Sequence, residues 1–129
     1  MENELPLSNQ RVYKSAPGVW CFYCEGCGHL HCYYTDEAAR PNATWQFNGN
    51  LQLPTFTPSL LNTWGKEADP NWIEPTEPSV VEGYKWSGRC HIFVTNGLIQ
   101  WLGDCTHALA GQTRMLPFLP EHLVERSVP

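Results

Sequence analysis

Alternation of apolar and polar positions, with no sustained helical period, runs through this chain. It is clearest over residues 90–101, where two runs rich in β-branched and aromatic side chains flank Asn96-Gly97. Asn-Gly supplies the two positive φ angles of a two-residue type I′ turn, so the stretch reads as a β-hairpin with a fixed register. Thr95 should pair with Leu98, Val94 with Ile99, Ile92 with Trp101, His91 with Leu102 and Cys90 with Gly103. Period-two alternation then puts Cys90, Ile92, Val94, Ile99 and Trp101 on one face, joined by Cys105 if the strand runs on. His91, Phe93, Leu98 and Asp104 fall on the other.

The same signals recur upstream. Residues 1–11 are polar and aperiodic and read as an N-terminal arm, with the first strand starting over 11–14. Residues 19–23 (VWCFY) and 29–34 (HLHCYY) are strand-like and flank a tight turn at Cys24-Glu-Gly-Cys27-Gly28. Residues 35–43 offer the sole modest helical pattern, which Pro41 limits to about one turn. Residues 44–47 alternate again, Asn48-Gly49 predicts a second hairpin turn, and 51–53 should return. Pro54 and Pro58 argue for an edge strand or a turn before the apolar Leu60-Leu61. Residues 64–89 form a long loop or insertion, a length usually reserved for lids or binding segments. Residues 106–113 are too short for a helix, and a proline-bearing tail over 114–129 should lie across the surface. The expected fold is mainly β: one small domain over 1–129, built of antiparallel hairpins with a zinc-ribbon-like knuckle.

Length and charge narrow the function. A chain of 129 residues buries about two-thirds of its unfolded surface in one core. The formal charge of −5, with eight Lys and Arg, lacks the clustered cations that neutralise phosphates, so no nucleic-acid partner is expected. No apolar run approaches the roughly 20 residues of a membrane helix, and the first ten residues lack a secretory signal pattern, so a cytoplasmic location is expected. In that compartment six cysteines point to metal binding or chemistry before disulfides.

Cys24-x-x-Cys27-Gly28 is a zinc-ribbon half-site, two thiolates on one turn. The hairpin geometry offers Cys90 and Cys105 as the second pair. Four thiolates would close a tetrahedral structural Zn²⁺ site, with His31 or His107 as substitute ligands. Cys21 and Cys32 read instead as reduced, buried small hydrophobes. Neither His-Glu-x-x-His nor the deaminase His-x-Glu pattern is present, which favours a structural over a catalytic metal.

On the hairpin's other face, His91 and Asp104 are diagonal neighbours, the base half of a nucleophilic site. Among Ser8, Ser15, Ser59, Ser79, Ser87 and Ser127, Ser59 stands out because it follows a turn-forming proline and leads into an apolar run. Ordinary turn chemistry for Pro58-Ser59 and a hydrogen-bonded strand histidine are the competing readings.

Taken in order, Cys24-x-x-Cys27-Gly28, Pro58-Ser59-Leu60 and Cys90-His91-Ile-Phe-Val before an Asn-Gly turn resemble the BubE-like family. Its members are predicted peptidases of bacterial ubiquitin-like conjugation operons, with short relatives in phages and prophages. The longer stretches PTFTPSL and CHIFVTNGLIQWLGDCTHALAGQT resemble those phage relatives. The resemblance implies a zinc-stabilised serine peptidase with Ser59 as nucleophile and His91 as base, acting on ubiquitin-like protein tails or conjugates. Two other readings stay open: a non-catalytic zinc-binding phage module that engages a host or phage protein through Trp64, Trp72, Trp86 and the acidic loop, and a metallohydrolase with water on a Cys/His-held zinc.

Overall fold

The structure, a computed structural model, describes residues 6–42, 44–76 and 85–129. It is mainly β. Strands β1 (Tyr13–Ala16), β2 (Val19–Cys24) and β3 (His29–Tyr34) form one antiparallel sheet in chain order. A second sheet orders β4 (Gln46–Phe47), β5 (Phe56–Trp64), β6 (Gly88–Thr95), β7 (Leu98–Trp101) and β8 (Thr113–Met115), again sequentially and antiparallel. A one-turn helix α1 (Glu121–Val124) follows. No helix among the described residues is long and apolar enough to cross a membrane.

The Asn96-Gly97 hairpin has the expected register. Thr95 pairs with Leu98, Val94 with Ile99 and Ile92 with Trp101, both turn residues have positive φ, and Leu102 N–H donates to the His91 carbonyl at 2.9 Å. β7 stops at Trp101, and the chain then turns back so that Thr106 N–H reaches the Arg89 carbonyl at 2.9 Å. Cys105 is therefore buried from a turn rather than from a strand.

One face of each sheet closes on a shared core. Cys90, Ile92 and Val94 of β6 meet Phe56 and Leu60 of β5, Ile99 and Trp101 of β7, and Phe22 and Tyr33 of the first sheet. Tyr33 stacks on Phe56 with ring centroids 4.1 Å apart, and Phe56 stacks on Phe47 at 4.5 Å. Each such ring contributes about 2–3 kcal/mol by burial alone, so this stack fastens the two sheets together. The opposite face of the first sheet packs Tyr13 and Cys21 against Leu119.

Several local expectations are corrected. Asn48-Gly49 does not make a two-residue hairpin: Phe47 pairs with Phe56, so the connection spans residues 48–55 and 51–53 is not a strand. Asparagine side chains replace the ladder there, Asn48 Oδ1 accepting from Asn50 and Thr55 N–H and Asn50 Oδ1 from Gln52 and Leu53 N–H. Pro58 lies inside β5, which is flanked by β4 and β6; its missing N–H is tolerated because the β5–β6 register shifts between Phe56 and Leu60. The tail is anchored rather than superficial: Leu116 and Leu119 are buried, and Leu119 exchanges backbone hydrogen bonds with Ser8 and Gln10 of the N-terminal arm. Cys21 and Cys32, read as reduced thiols, are a disulfide. They are direct cross-strand partners on β2 and β3 with Cα atoms 4.3 Å apart, and alternation turns them away from Cys24 and His31.

The 64–89 connection begins with a single 3-10 turn at Gly65–Glu67. Its base is tied by Trp64 Nε1–H to the Lys85 carbonyl at 3.1 Å and by Lys66 N–H to Ser87 Oγ at 2.9 Å. Within it, Val80, Val81 and Tyr84 lie outside the described residues.

Candidate active site and metal centre

β6 carries two chemistries on opposite faces. His91 faces outward, next to the inward-facing Cys90 and Ile92, which are fully buried. Ser59 lies two residues from Leu61, the direct cross-strand partner of His91, and so shares its face, and Trp45 Nε1–H holds the Ser59 carbonyl at 3.1 Å. Ser59 Oγ stands 3.2 Å from His91 Nε2, and Asp104 Oδ2 stands 3.2 Å from His91 Nδ1. An ionised carboxylate only accepts, so Nδ1–H donates to Asp104 and Nε2 is left to accept from the Ser59 hydroxyl. That is the tautomer a general base for serine requires.

Two neighbours complete the arrangement. Arg89 Nη1 lies 3.6 Å from Asp104 Oδ2 while Arg89 Nε lies 3.7 Å from Glu67 Oε1. Cys105 Sγ accepts from the His91 N–H and donates to the His91 carbonyl, each at 3.3 Å, pinning the turn that carries Asp104. Sequence reasoning missed Arg89, though its place two residues before His91 puts it on the same strand face.

Behind this face lie the cysteines. The Cys24–Cys27 knuckle closes through Gly28 N–H to the Cys24 carbonyl at 2.8 Å, with Gly28 at φ +77°. Gly26 is needed for a different reason: a Cβ there would collide with the His107 ring. One potential ligand group gathers Cys24, Cys27, His31 and Cys90, and an adjoining one gathers Cys90, Cys105 and His107, with the ligand atoms in each within 4.8 Å of one another. Cys105, expected as the fourth thiol with Cys24, Cys27 and Cys90, thus falls in the second group, and both expected substitutes, His31 and His107, border Cys90.

The donor set suits a cation. Hydrogen bonds from Cys27 and Cys90 push the Cys24 thiol strongly down. The same contact with Cys24 pushes Cys27 up to about 12 and Cys90 higher still. Trp101 Nε1–H donates to Cys24 Sγ at 3.3 Å. His31 Nε2 is buried with no hydrogen-bond partner among the described residues. An orphaned imidazole nitrogen beside three thiols is what a metal-ligand set looks like before the ion is added.

The two histidines differ in their other nitrogen. His107 Nδ1 accepts from Leu109 N–H at 3.2 Å, and burial lowers the pKa of the ring, so the neutral ring carries its proton on Nε2. That N–H points at Cys90 Sγ, 3.5 Å away. His31 Nδ1 instead meets the Asn62 amide at 3.1 Å. The amide nitrogen faces the ring, so Asn62 Nδ2–H donates to Nδ1; turning the amide by 180° would let Nδ1–H donate to Oδ1 and free the Nε2 lone pair for a cation.

Comparison with known families adds a direct observation. The family model described as BubE, bacterial ubiquitination-like system serine protease, matches residues 1–102 of the 129. The chain belongs to the BubE family. No curated protein and no solved structure matches it. The residues matched by the BubE model include Ser59, His91 and all four of the first ligand group, Cys24, Cys27, His31 and Cys90; Asp104, Cys105 and His107 lie beyond them.

Proposed function

We propose that this chain is a zinc-stabilised serine peptidase. The observation that carries the reading is the unbroken contact from Ser59 Oγ through the His91 ring to Asp104. In that geometry Ser59 Oγ attacks a scissile carbonyl carbon and its proton passes to His91 Nε2. The imidazolium is held by Asp104, and the proton then goes to the leaving amine, which departs as the acyl-enzyme forms. Water, deprotonated by His91 in turn, releases the acid product and restores Ser59. Membership in a family described by its ubiquitination-like system supports a ubiquitin-like protein tail or conjugate as substrate.

Zinc belongs to the opposite face of β6. The ligand set best supported by the clustering of ligand atoms and the unpartnered His31 Nε2 is Cys24, Cys27, Cys90 and His31, with His107 donating to the Cys90 sulfur and Cys105 occupied with the His91 backbone. When bound, the ion supplies a closed four-ligand cross-link between the knuckle and β6. Four protein ligands leave no open position for water, which disfavours the metallohydrolase alternative.

The test is a ubiquitin-like protein from a bacterial ubiquitination-like operon, carrying a short C-terminal extension. Wild-type protein should remove the extension and Ser59→Ala should not. An intact extension after prolonged incubation with folded, zinc-loaded protein would count against the reading.

A further inference from the structure

The solvent face of the second sheet changes character at His91. Toward one end stand Glu67, Arg89 and Asp104, already engaged with one another. Toward the other end it presents large apolar side chains among Thr95, Gln100 and Thr113. Phe93 is 39% exposed, Leu98 40% and Met115 42%, whereas Ile92, Val94 and Ile99 between them are 0–1% exposed. The exposure therefore belongs to the outward face and is not loose packing.

These side chains adjoin one another. Leu98 is the direct cross-strand partner of Met115, and Phe93, opposite Gln100, is the diagonal neighbour of Leu98. Leu53, 45% exposed, extends the row: a Cβ on Gly97 would stand 3.2 Å from Leu53 Cδ2 and 3.3 Å from Met115 Cε. The row crosses β6, β7 and β8, starting one residue pair from His91. Three inter-strand steps from Ser59 on β5 to Met115 on β8 cover about 14 Å, the reach of about four extended residues. A contiguous apolar strip of this kind on a water-facing sheet marks a contact surface.

We propose that Phe93, Leu98 and Met115 form the specificity surface of the peptidase, binding an extended segment of the protein substrate that presents large apolar side chains within about four residues of the scissile bond. The inference rests on the serine-peptidase reading for its direction: a chain whose carbonyl reaches Ser59 Oγ must lie across this face. The polar end, with its charges already paired, offers little to a charged segment, while the apolar strip gains only from an apolar one. Burial of one leucine or phenylalanine against it discriminates by about tenfold or more over serine.

The experiment uses zinc-loaded full-length protein with Ser59→Ala, so that peptides bind without turnover. A random peptide library is passed over it and the retained peptides are sequenced. Leu, Phe and Met should be enriched at least tenfold over Ser and Asp at one or more positions. Adding Phe93→Ser and Leu98→Ser should cut that enrichment to below twofold. If that variant does not fold, Met115→Ser on the edge strand takes its place with the same expectation. Retention without apolar enrichment, equal enrichment in the strip variants, no retention, or a dimer that the strip substitutions dissociate each overturns the proposal. Fluorophosphonate labelling of wild-type Ser59 is read in parallel. Labelling without enrichment sinks the specificity surface alone; enrichment without labelling upholds the strip as a peptide-binding surface and sinks the hydrolase.

Discussion

His91 Nε2 and Ser59 Oγ face each other at 3.2 Å across the β5–β6 ladder, although the two residues are 32 positions apart in the chain. Leu61 pairs directly with His91, and period two places Ser59 on the same sheet face as a diagonal neighbour of that histidine, beside the register shift between Phe56 and Leu60. The Cys/His cluster begins one residue away, at Cys90 on the other side of the same strand.

Asp104→Asn tests the third member. Asparagine can offer its N–H to Nδ1 and favour the wrong tautomer, leaving Nε2 protonated toward Ser59. Peptide cleavage should fall by about 10²-fold or more, mostly in kcat, while thermal stability stays within about 0.5 kcal/mol because the carboxylate is 41% exposed. Steady-state kinetics with unchanged activity would remove Asp104 from the mechanism.

Metal analysis on single variants separates the two ligand groups. Cys24→Ser, Cys27→Ser, Cys90→Ser and His31→Ala should each lower zinc content well below one per chain and destabilise the fold, since structural zinc contributes several kcal/mol. Cys105→Ala should keep its zinc and lose activity through the unpinned Asp104 turn. Loss of zinc in Cys105→Ala with retention in His31→Ala would restore the four-thiol set that the cysteine spacing suggested.

Tyr33 supplies a pH-dependent prediction. Its hydroxyl is buried and has no hydrogen-bond partner among the described residues, and burial raises its pKa above the ordinary 10.0. Above that pH the unfolded chain loses the phenolic proton and the native protein keeps it, so stability falls as pH rises. Tyr33→Phe should stabilise the protein by about 1 kcal/mol at neutral pH and flatten the alkaline decline. Denaturant melts at pH 7 and pH 11 check both; equal slopes for the two proteins would show that the phenol stays protonated in neither state or in both.

How much of this was legible beforehand depends on whether the feature is local. Asn96-Gly97 dictates its own turn, and from it the faces of Cys90, His91, Phe93 and Trp101 follow by counting. Asn48-Gly49 carries the same dipeptide but failed as a guide, because Asn48 and Asn50 side chains satisfy the backbone and open a wider loop. The Cys21–Cys32 disulfide and the placing of His31 beside Cys24 both depend on the β2–β3 register, which the knuckle's four-residue tip does not announce. Leu116 and Leu119 looked like tail residues because what holds them is distant in sequence: Leu116 joins the core shared by both sheets, and Leu119 packs on Tyr13 and Cys21 while its backbone bonds Ser8 and Gln10. Ser59 was identifiable as a candidate, yet only the pairing of β5 with β6, Leu61 opposite His91, brings its hydroxyl to the ring.

Fluorophosphonate labelling, read by intact mass and peptide mapping, tests the central claim most directly. A serine is modified by such a probe only when a base withdraws its proton. Wild-type protein should carry one adduct, on Ser59, and His91→Ala should slow its formation by about 10²-fold or more while keeping the zinc and the melting temperature. Folded, zinc-loaded wild-type protein that stays unlabelled, or that is labelled at Ser59 equally fast without His91, would contradict the account.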